Sequence, residues 1–285
     1  MPVFPEVHAP GKLVLIGDYA VLDGAPAAVL AIDRGVRCEI LPGDGIVTPD
    51  GDARFVAPAL ESAPTALYRF SAWNPVDLPG KPGFGGSAAA CVAACIAARR
   101  PAADAFAVHH AVQGSGSGVD VAASIHGGLI RFTPGQPTAA LSPVTPSVIY
   151  TGTSAKTGPR IQVFRAWSDA KARAAFVAQS TALVDQLSAD PVGVTAEASA
   201  LLISATDAAG VDYLTGALHR IMVLARAYGG AAKPSGAGGG DCAVAFFPDR
   251  GSQHAFEQRC AAEGFPPIAV QPAPGAVLLT PSKIQ

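Results

Sequence analysis

The sequence predicts an α+β fold in two domains. Short apolar runs broken by Gly and Pro fill the first forty residues, which is typical of antiparallel strands and turns. After residue 155, three long segments carry apolar residues at three- and four-residue spacing, the period of amphipathic helices. The 285 residues suffice for two domains with substantial cores. We expect an N-terminal domain at residues 1–155 and a C-terminal domain at residues 156–285.

The N-terminal half combines a sheet with short helices. An alanine-rich, almost wholly apolar segment precedes Pro101 and predicts a buried helix, and a Gly-Gly pair at residues 127–128 ends the last helix of this half. Strands are predicted at residues 13–16, 27–32, 36–40, 129–132 and 148–150, and helices at residues 87–100, 102–113 and 119–126.

The C-terminal half is mainly helical and ends with strands. We predict helices at residues 163–187, 195–208, 211–228 and 253–263, and strands at residues 242–247 and 277–280. The sequence contains no internal repeat.

Composition restricts the possible partners. The 20 basic residues nearly balance the 22 acidic ones, so neither nucleic acid nor an acidic membrane is favoured, and a small-molecule partner fits better. The five cysteines lie in apolar or alanine-rich runs without metal-ligand spacing, which predicts reduced, buried thiols. Without a secretory signal or a membrane-spanning run, we expect the protein in the cytoplasm.

The segment KPGFGGSAA, from Lys81 to Ala89, runs directly into the predicted apolar helix. Glycines allow backbone N–H groups to turn towards an anion, and a helix N-terminus adds partial positive charge. Ser87 offers a hydroxyl for a magnesium ion. The segment matches neither the G-x-x-x-x-G-K-[ST] loop nor G-x-G-x-x-G before an acidic ribose ligand. A glycine-rich helix entry that serves only close packing is the alternative.

The segment GSGSGVD brings Asp120 onto the first turn of a helix. The helix dipole favours the ionised carboxylate there, which suits a base that accepts a proton from an attacking hydroxyl. Taken alone, the pattern more often marks an aspartate that only stabilises the helix, because acidic residues are common in the first helical turn.

Two further segments suggest contact with a ligand. In KPSGAGGGDC, three consecutive glycines precede an apolar strand, so the loop lies against either another backbone or a ligand, while a flexible linker is disfavoured. In APGKLVLIGDY, Lys12 enters an apolar strand. Its ammonium either reaches solvent or points at a reacting oxygen and neutralises developing charge.

In this order and spacing, APGKLVLIGDYAVLDG, KPGFGGSAAA, GSGSGVDVAASIHGG and KPSGAGGGDCAVAFF resemble the motifs of the GHMP kinase superfamily, over residues 8–247. The glycine loops resemble those of phosphomevalonate kinases more than those of mevalonate kinases, homoserine kinases or galactokinases, and YTGTSAKT points the same way. The resemblance implies the GHMP kinase fold: an N-terminal domain like ribosomal protein S5 domain 2, a ferredoxin-like C-terminal domain, and ATP and acceptor bound between them.

The resemblance also implies roles for individual residues. Asp120 is the expected base and Lys12 the group that stabilises the acceptor oxygen, with Ser87 on Mg²⁺. The expected ATP-binding residues are Lys81, Gly83, Phe84, Gly85, Gly86, Ser87 and Ala88, and the expected substrate-binding residues are Ser117, Lys156, Ser235, Gly236, Gly238, Gly239 and Asp241. The cationic candidates for a phosphorylated acceptor are Lys81, Lys156, Arg160 and Lys233.

The implied activity is ATP-dependent phosphorylation of phosphomevalonate to diphosphomevalonate in isoprenoid precursor synthesis, by a monomer or homodimer. A mevalonate or sugar kinase is the nearest alternative, and a nucleotide-binding regulator without turnover is another. Gly86 stands where the family usually has the first of two serines, which predicts weaker nucleotide binding. His109 and His110 are assigned surface or packing roles, and Trp73 and Asn74 either border the adenine pocket or simply pack.

Overall fold

The computed structural model describes residues 4–280, and most of its strands join one large sheet. The first three residues, on which the prediction about a secretory signal partly rests, lie outside this range. The strands are β1 (Glu6–Ile16), β2 (Ala27–Leu41), β3 (Gly45–Val47), β4 (Leu67–Trp73), β5 (Leu129–Phe132), β6 (Ala139–Ala140), β7 (Ser147–Tyr150), β8 (Ala231–Pro234), β9 (Cys242–Phe246) and β10 (Val277–Leu279).

The long strand β2 organises the larger sheet. The order is β10-β1-β2-β4-β3, and β5 pairs with both β2 and β6. Along one edge of β2, residues 27–30 pair with β5 and residues 35–41 pair with β4, while β1 pairs along the other edge. The smaller sheet has the order β7-β9-β8 and is antiparallel.

The helices cover both sheets. In the described residues they are α1 (Ala57–Leu60), α2 (Gly86–Ala97), α3 (Asp104–Gln113), α4 (Val119–His126), α5 (Thr157–Arg165), α6 (Ala170–Gln186), α7 (Pro191–Ala209), α8 (Gly216–Ala227) and α9 (Arg250–Ala262), with a 3₁₀ turn at Ala20–Asp23. None of these helices combines the length and the apolar character needed to cross a bilayer.

The alanine-rich helix α2 is buried, as predicted. Its small side chains pack against β1, β2, α3 and α4. A second core cluster joins the two sheets, because it contains Leu13 and Leu30 of the larger sheet together with Val148 and Val244 of the smaller one. All five cysteines, which lie within the described range, are buried and free, which confirms that prediction.

Two strands join a different sheet from the one that their place in the sequence suggested. Strand β7, which precedes residue 155, pairs with β9 in the smaller sheet, and β10, near the end of the chain, pairs with β1 in the larger sheet. The chain therefore passes twice between the sheets. The domain division at residues 155 and 156 stays a prediction.

The long predicted helix at residues 163–187 is wrong, because the structure has two helices there, α5 and α6. Asp169 begins α6 by accepting a hydrogen bond from Ala172 N at 2.9 Å. Similarly, α8 begins five residues later than predicted, after Thr215 caps Leu218 N. In both places a capping side chain fixed the helix start more strongly than the apolar period.

Candidate active site

A cleft of about 990 Å³ contains most of the residues singled out in the sequence. Its walls come from the end of β1, the loop before α2, the loop before α4 and the loop between β8 and β9. The predicted site residues that line it are Lys12, Lys81, Gly83, Phe84, Gly85, Gly86, Ser87, Ser117, Asp120, Ser235, Gly236 and Asp241. Thus segments more than 200 residues apart in the chain meet in one cavity.

The loop before α2 requires its glycines. Gly83 and Gly85 have φ angles of 78° and 74°, in the left-handed region that glycine adopts most easily. A Cβ at Gly83 would collide with the Asp241 carboxylate, and a Cβ at Gly85 would lie 3.1 Å from Lys12 Cγ. The loop therefore lies directly against two other parts of the site. Ala88 is fully buried within α2 and does not line the cleft.

Lys12 and Asp120 form the centre of the cleft. Lys12 Nζ lies 3.6 Å from Asp120 Oδ1 and donates a hydrogen bond of 3.2 Å to Gly83 O. Strand β1 holds the lysine, whose backbone N–H donates to Phe84 O at 2.9 Å. Asp120 is on the first turn of α4, as predicted, with a third of its side chain exposed to the cleft (33 %).

The lysine stays charged in spite of its burial. Desolvation lowers the pKa of Lys12, but Asp120 and more distant negative groups, Asp241 and Asp18 among them, outweigh it, so the net shift of the pKa is upward. A permanent positive charge therefore faces the Asp120 carboxylate at neutral pH.

The loop after β8 divides into a cleft-lining part and a packing part. Ser235 and Gly236 line the cleft, whereas Gly238 and Gly239 do not. A side chain at Gly238 would collide with Tyr213, and one at Gly239 would collide with the Arg160 guanidinium. The sequence allowed both uses of these glycines, close packing and ligand contact. The loop lines the cleft at residues 235–237 and at Asp241, and packs closely at Gly238 and Gly239 between them.

Asp241 ends this loop beside the first one. Its carboxylate accepts a hydrogen bond of 2.8 Å from Ala155 N, and its φ angle is 58°. Desolvation raises its pKa, although the Ala155 N–H and the Lys12 charge act in the opposite direction.

Of the cations predicted for a phosphorylated acceptor, Lys81 lines the cleft, whereas Lys156, Arg160 and Lys233 do not. Lys156 is exposed and borders a second, smaller pocket with Arg160. Arg160 donates to the Asp212 and Lys156 carbonyls, at 2.9 and 3.1 Å. Lys233 is fully buried, and its ammonium lies 2.7 Å from Asp18 Oδ2. A direct role for Lys233 on the acceptor is therefore wrong, because its charge is already paired inside the protein.

His109 makes a contact that sequence reasoning missed. Its Nε2 lies 3.2 Å from Ser87 Oγ, and its ring stacks on Phe55 at a centroid distance of 5.0 Å. Burial lowers the pKa of His109, so the ring is neutral at pH 7. The packing role assigned to His109 was incomplete. Trp73 and Asn74 both line the cleft.

The donors near Ser87 suit a magnesium ion that is carried in with a phosphate ligand. Mg²⁺ retains several waters and binds proteins through one or two oxygen donors together with substrate phosphates. Ser87 and Asp120 provide such oxygens in the cleft. No cluster of three or more His, Cys, Asp or Glu side chains occurs among residues 4–280, so a metal cage built by protein side chains alone is not found there.

Comparison with known proteins identifies a matching family model and several relatives. Residues 194–265 match the family model for the GHMP kinase C-terminal domain. The mevalonate kinase of Aeropyrum pernix is 28 % identical over 86 % of this chain and 89 % of its own. The phosphomevalonate kinase of a Streptomyces species is 27 % identical over 93 % of this chain and 96 % of its own.

Solved structures with the same fold are also found. The Lin0012 protein of Listeria innocua has a TM-score of 0.85 at 23 % identity, over 96 % of this chain and 99 % of its own. Phosphomevalonate kinase of Streptococcus pneumoniae, solved with phosphomevalonate and AMPPNP, has a TM-score of 0.74 at 20 % identity, over 94 % and 99 %.

Fold and family match agree on the class: the chain has the α+β fold of the GHMP kinases, and residues 194–265 match the family model for their C-terminal domain. The resemblance noted in the sequence is thereby confirmed. Two relatives of the chain, a mevalonate kinase and a phosphomevalonate kinase, are almost equally identical to it, at 28 % and 27 %.

Proposed function

We propose that this protein transfers the γ-phosphoryl group of ATP to phosphomevalonate and yields diphosphomevalonate and ADP. The observation that carries the proposal is the Lys12–Asp120 pair, 3.6 Å apart, at the place where two glycine-rich loops meet. Phosphoryl transfer depends mainly on position and charge stabilisation, and this arrangement supplies both. Relatives named for mevalonate and phosphomevalonate support the acceptor class.

The residues of the cleft have separate roles in this proposal. The backbone of residues 83–87 and the N-terminus of α2 hold the nucleotide phosphates. Ser87 would hold Mg²⁺, which neutralises phosphate charge when it is bound. Lys12 holds the acceptor oxygen beside the γ-phosphorus. A new bond forms between that oxygen and phosphorus while the bond to the β-phosphate oxygen breaks, and ADP leaves with the electron pair.

The acceptor decides the role of Asp120. A phosphate acceptor is already an anion, so Asp120 would orient it through Lys12 and no proton need be removed. An alcohol acceptor, as in mevalonate, would give its proton to Asp120 as its oxygen attacks. One observation favours this second candidate, a mevalonate kinase. Among the described lysines and arginines, those that line the cleft are Lys12, Arg34, Arg54 and Lys81.

All four cations have protein partners, and Lys12 differs from the other three because its charged partner is Asp120. Arg34 donates to the Ala269 and Asn74 carbonyls, Arg54 pairs with Asp52 at 2.6 Å, and Lys81 lies 3.5 Å from Asp50. Only Lys12 then stands beside Asp120 within the described residues. A phosphorylated acceptor would depend strongly on that one charge and on Mg²⁺.

An acceptor panel tests the proposal. Purified protein is assayed for ADP release with MgATP and phosphomevalonate, mevalonate, galactose or homoserine, and the products are identified by mass. We expect the highest kcat/KM with phosphomevalonate. A higher kcat/KM with mevalonate or a sugar would mean that phosphomevalonate is not the acceptor. ATP binding without turnover on any acceptor would indicate that the protein is a nucleotide-binding regulator and not a kinase.

A further inference from the structure

A buried ion pair connects the end of β1 to the start of the last glycine-rich loop. Lys233 Nζ, on β8, lies 2.7 Å from Asp18 Oδ2, and the two side chains are 0 % and 1 % exposed. Lys233 also donates to Pro234 O at 2.7 Å. These two charged residues are 215 positions apart, so only the folded chain brings them together.

Stability alone is a weak reason for such a pair. Removing two charges from water costs free energy that their mutual attraction barely recovers, and apolar residues of similar volume often stabilise a protein equally well. In some proteins a buried polar or charged group instead fixes the relative position of the segments that carry it. The geometry around Asp18 and Lys233 indicates which segments are held.

The loop residues that line the cleft are bonded one after another to β1 and the turn that follows it. Gly236 N donates to Asp18 Oδ1 at 2.6 Å. Ser235 Oγ accepts from Val14 N at 3.0 Å and donates to Val14 O at 3.2 Å. Three residues in a row are held in this way, because Tyr19 also donates its hydroxyl hydrogen to Ala237 O at 2.7 Å.

The turn that carries these groups has an unusual backbone. Tyr19 has a φ of 59°, which costs free energy for a residue with a Cβ and persists only where the surroundings fix it. This conformation directs two successive side chains, Asp18 and Tyr19, to the same loop. We call Asp18, Tyr19 and Lys233 the loop anchor.

We propose that the loop anchor positions residues 235–237 against the acceptor, so that these residues set acceptor affinity while nucleotide affinity depends on the opposite loop. The inference rests on the proposed kinase function. In this inference Lys233 does not contact the acceptor. It holds Asp18, and Asp18 holds Gly236. Gly236 is the link, because its N–H is held by the anchor and its backbone lines the cleft.

The test compares a neutralised anchor with a neutralised control pair. In Asp18→Asn/Lys233→Met, an amide oxygen still accepts from Gly236 N, methionine fills the lysine volume and no unpaired charge is buried. The control, Arg220→Met/Glu263→Gln, removes a 2.6 Å ion pair that lies outside the cleft. Tyr19→Phe removes only the hydroxyl and keeps the buried ring, so it provides a second variant that is expected to fold.

We expect the double anchor variant to raise the KM for the acceptor at least fivefold and to leave the KM for MgATP within twofold. Tyr19→Phe should raise the acceptor KM about two- to tenfold, the effect of one hydrogen bond. Hydrogen exchange in residues 235–241 should quicken in the double variant, and the control pair should change none of these values.

Two results would overturn the inference: an unchanged acceptor KM in both anchor variants, or equal rises in both KM values, which would indicate a general structural role. Failure of the proposed function is seen separately, because wild-type protein would then prefer another acceptor or turn over none. Hydrogen exchange in residues 235–241 would still show whether the anchor holds this loop.

Discussion

Lys12 Nζ and Asp120 Oδ1 lie 3.6 Å apart, and the two residues reach this distance from opposite elements, strand β1 and the first turn of helix α4. The Gly83 carbonyl is a third neighbour, 3.2 Å from the same ammonium. One cation therefore connects the expected phosphate loop to the expected catalytic carboxylate.

Asp120→Asn should separate binding from turnover. The amide keeps the size of the carboxylate but loses the charge that faces Lys12 and any capacity to take a proton. We expect kcat to fall about 100-fold or more, the usual cost of removing a base or a preorganised charge. The Kd for ATP, measured by calorimetry without Mg²⁺, should stay within about threefold, because the phosphates are proposed to bind residues 83–87 and not Asp120.

The matched control is Asp207→Asn, on the exposed face of α7, which should change neither kcat nor ATP affinity. If Asp120→Asn turned over at the wild-type rate, Asp120 would have no part in the mechanism.

Gly86→Ser should strengthen nucleotide binding. Gly86 is the first residue of α2, and a Cβ there would meet no atom within 4 Å, so a serine fits. Its hydroxyl would restore the phosphate or metal contact that the superfamily usually has at this position. One added hydrogen bond predicts a KM for MgATP about two- to tenfold lower.

Gly86→Ala distinguishes the hydroxyl from the helix. It adds the Cβ and the better helix propensity without a hydrogen-bonding group, so it should raise Tm and leave the KM for MgATP unchanged. Equal KM values for the serine and alanine variants would mean that no ligand contact is missing at this position.

Much of the fold was predictable because local signals decided it. The apolar alanine run gave α2, and the Gly-Gly pair gave the end of α4 at His126. The sheet to which β7 and β10 belong was not predictable from local pattern, because an apolar strand fits either sheet and its partner is chosen by packing.

The same distinction holds for the site. The glycine loops could be found in the sequence, because positive φ angles and close backbone approach both favour glycine. The contacts of His109 and Lys233 depend on residues 22 and 215 positions away, and no short pattern encodes them. Lys233 lies beside a glycine loop, and lysines are scarce in this chain, so the sequence suggested that Lys233 contacts the substrate. In the structure it pairs with Asp18 instead.

His109→Ala should destabilise the protein and weaken nucleotide binding together. The change removes a buried ring stacked on Phe55 and leaves the Ser87 hydroxyl without its partner. We expect Tm to fall by about 2–8 °C, from a loss of roughly 1–3 kcal/mol. The KM for MgATP should rise about threefold or more because Ser87 is no longer held.

His110→Ala is the neighbouring control, since that side chain is exposed. It should leave Tm unchanged. His109→Asn offers a hydrogen-bonding group of smaller size and should recover part of the MgATP affinity lost in His109→Ala. No recovery in the asparagine variant, with equal loss of Tm, would reduce His109 to a packing residue.

Asp241→Asn should stabilise the protein at neutral pH. Burial raises the pKa of Asp241 above its ordinary value of 3.8, so the folded state binds the proton more tightly than the unfolded chain does. Stability linked to this group is then present at low pH and is lost as pH rises through the folded pKa. An asparagine has no charge to bury, still accepts from Ala155 N, and tolerates the φ of 58° well.

The measurement is Tm from pH 3 to pH 7 for wild type, Asp241→Asn and the exposed control Asp207→Asn. The Asp241 variant should have the higher Tm at pH 7, and its advantage should shrink as pH falls towards 3.8, the ordinary pKa of the carboxyl. The control should run parallel to wild type. A wild-type protein that was more stable than Asp241→Asn at pH 7 would mean that Lys12 and the Ala155 N–H outweigh desolvation, and the ionised carboxylate would then contribute to folding.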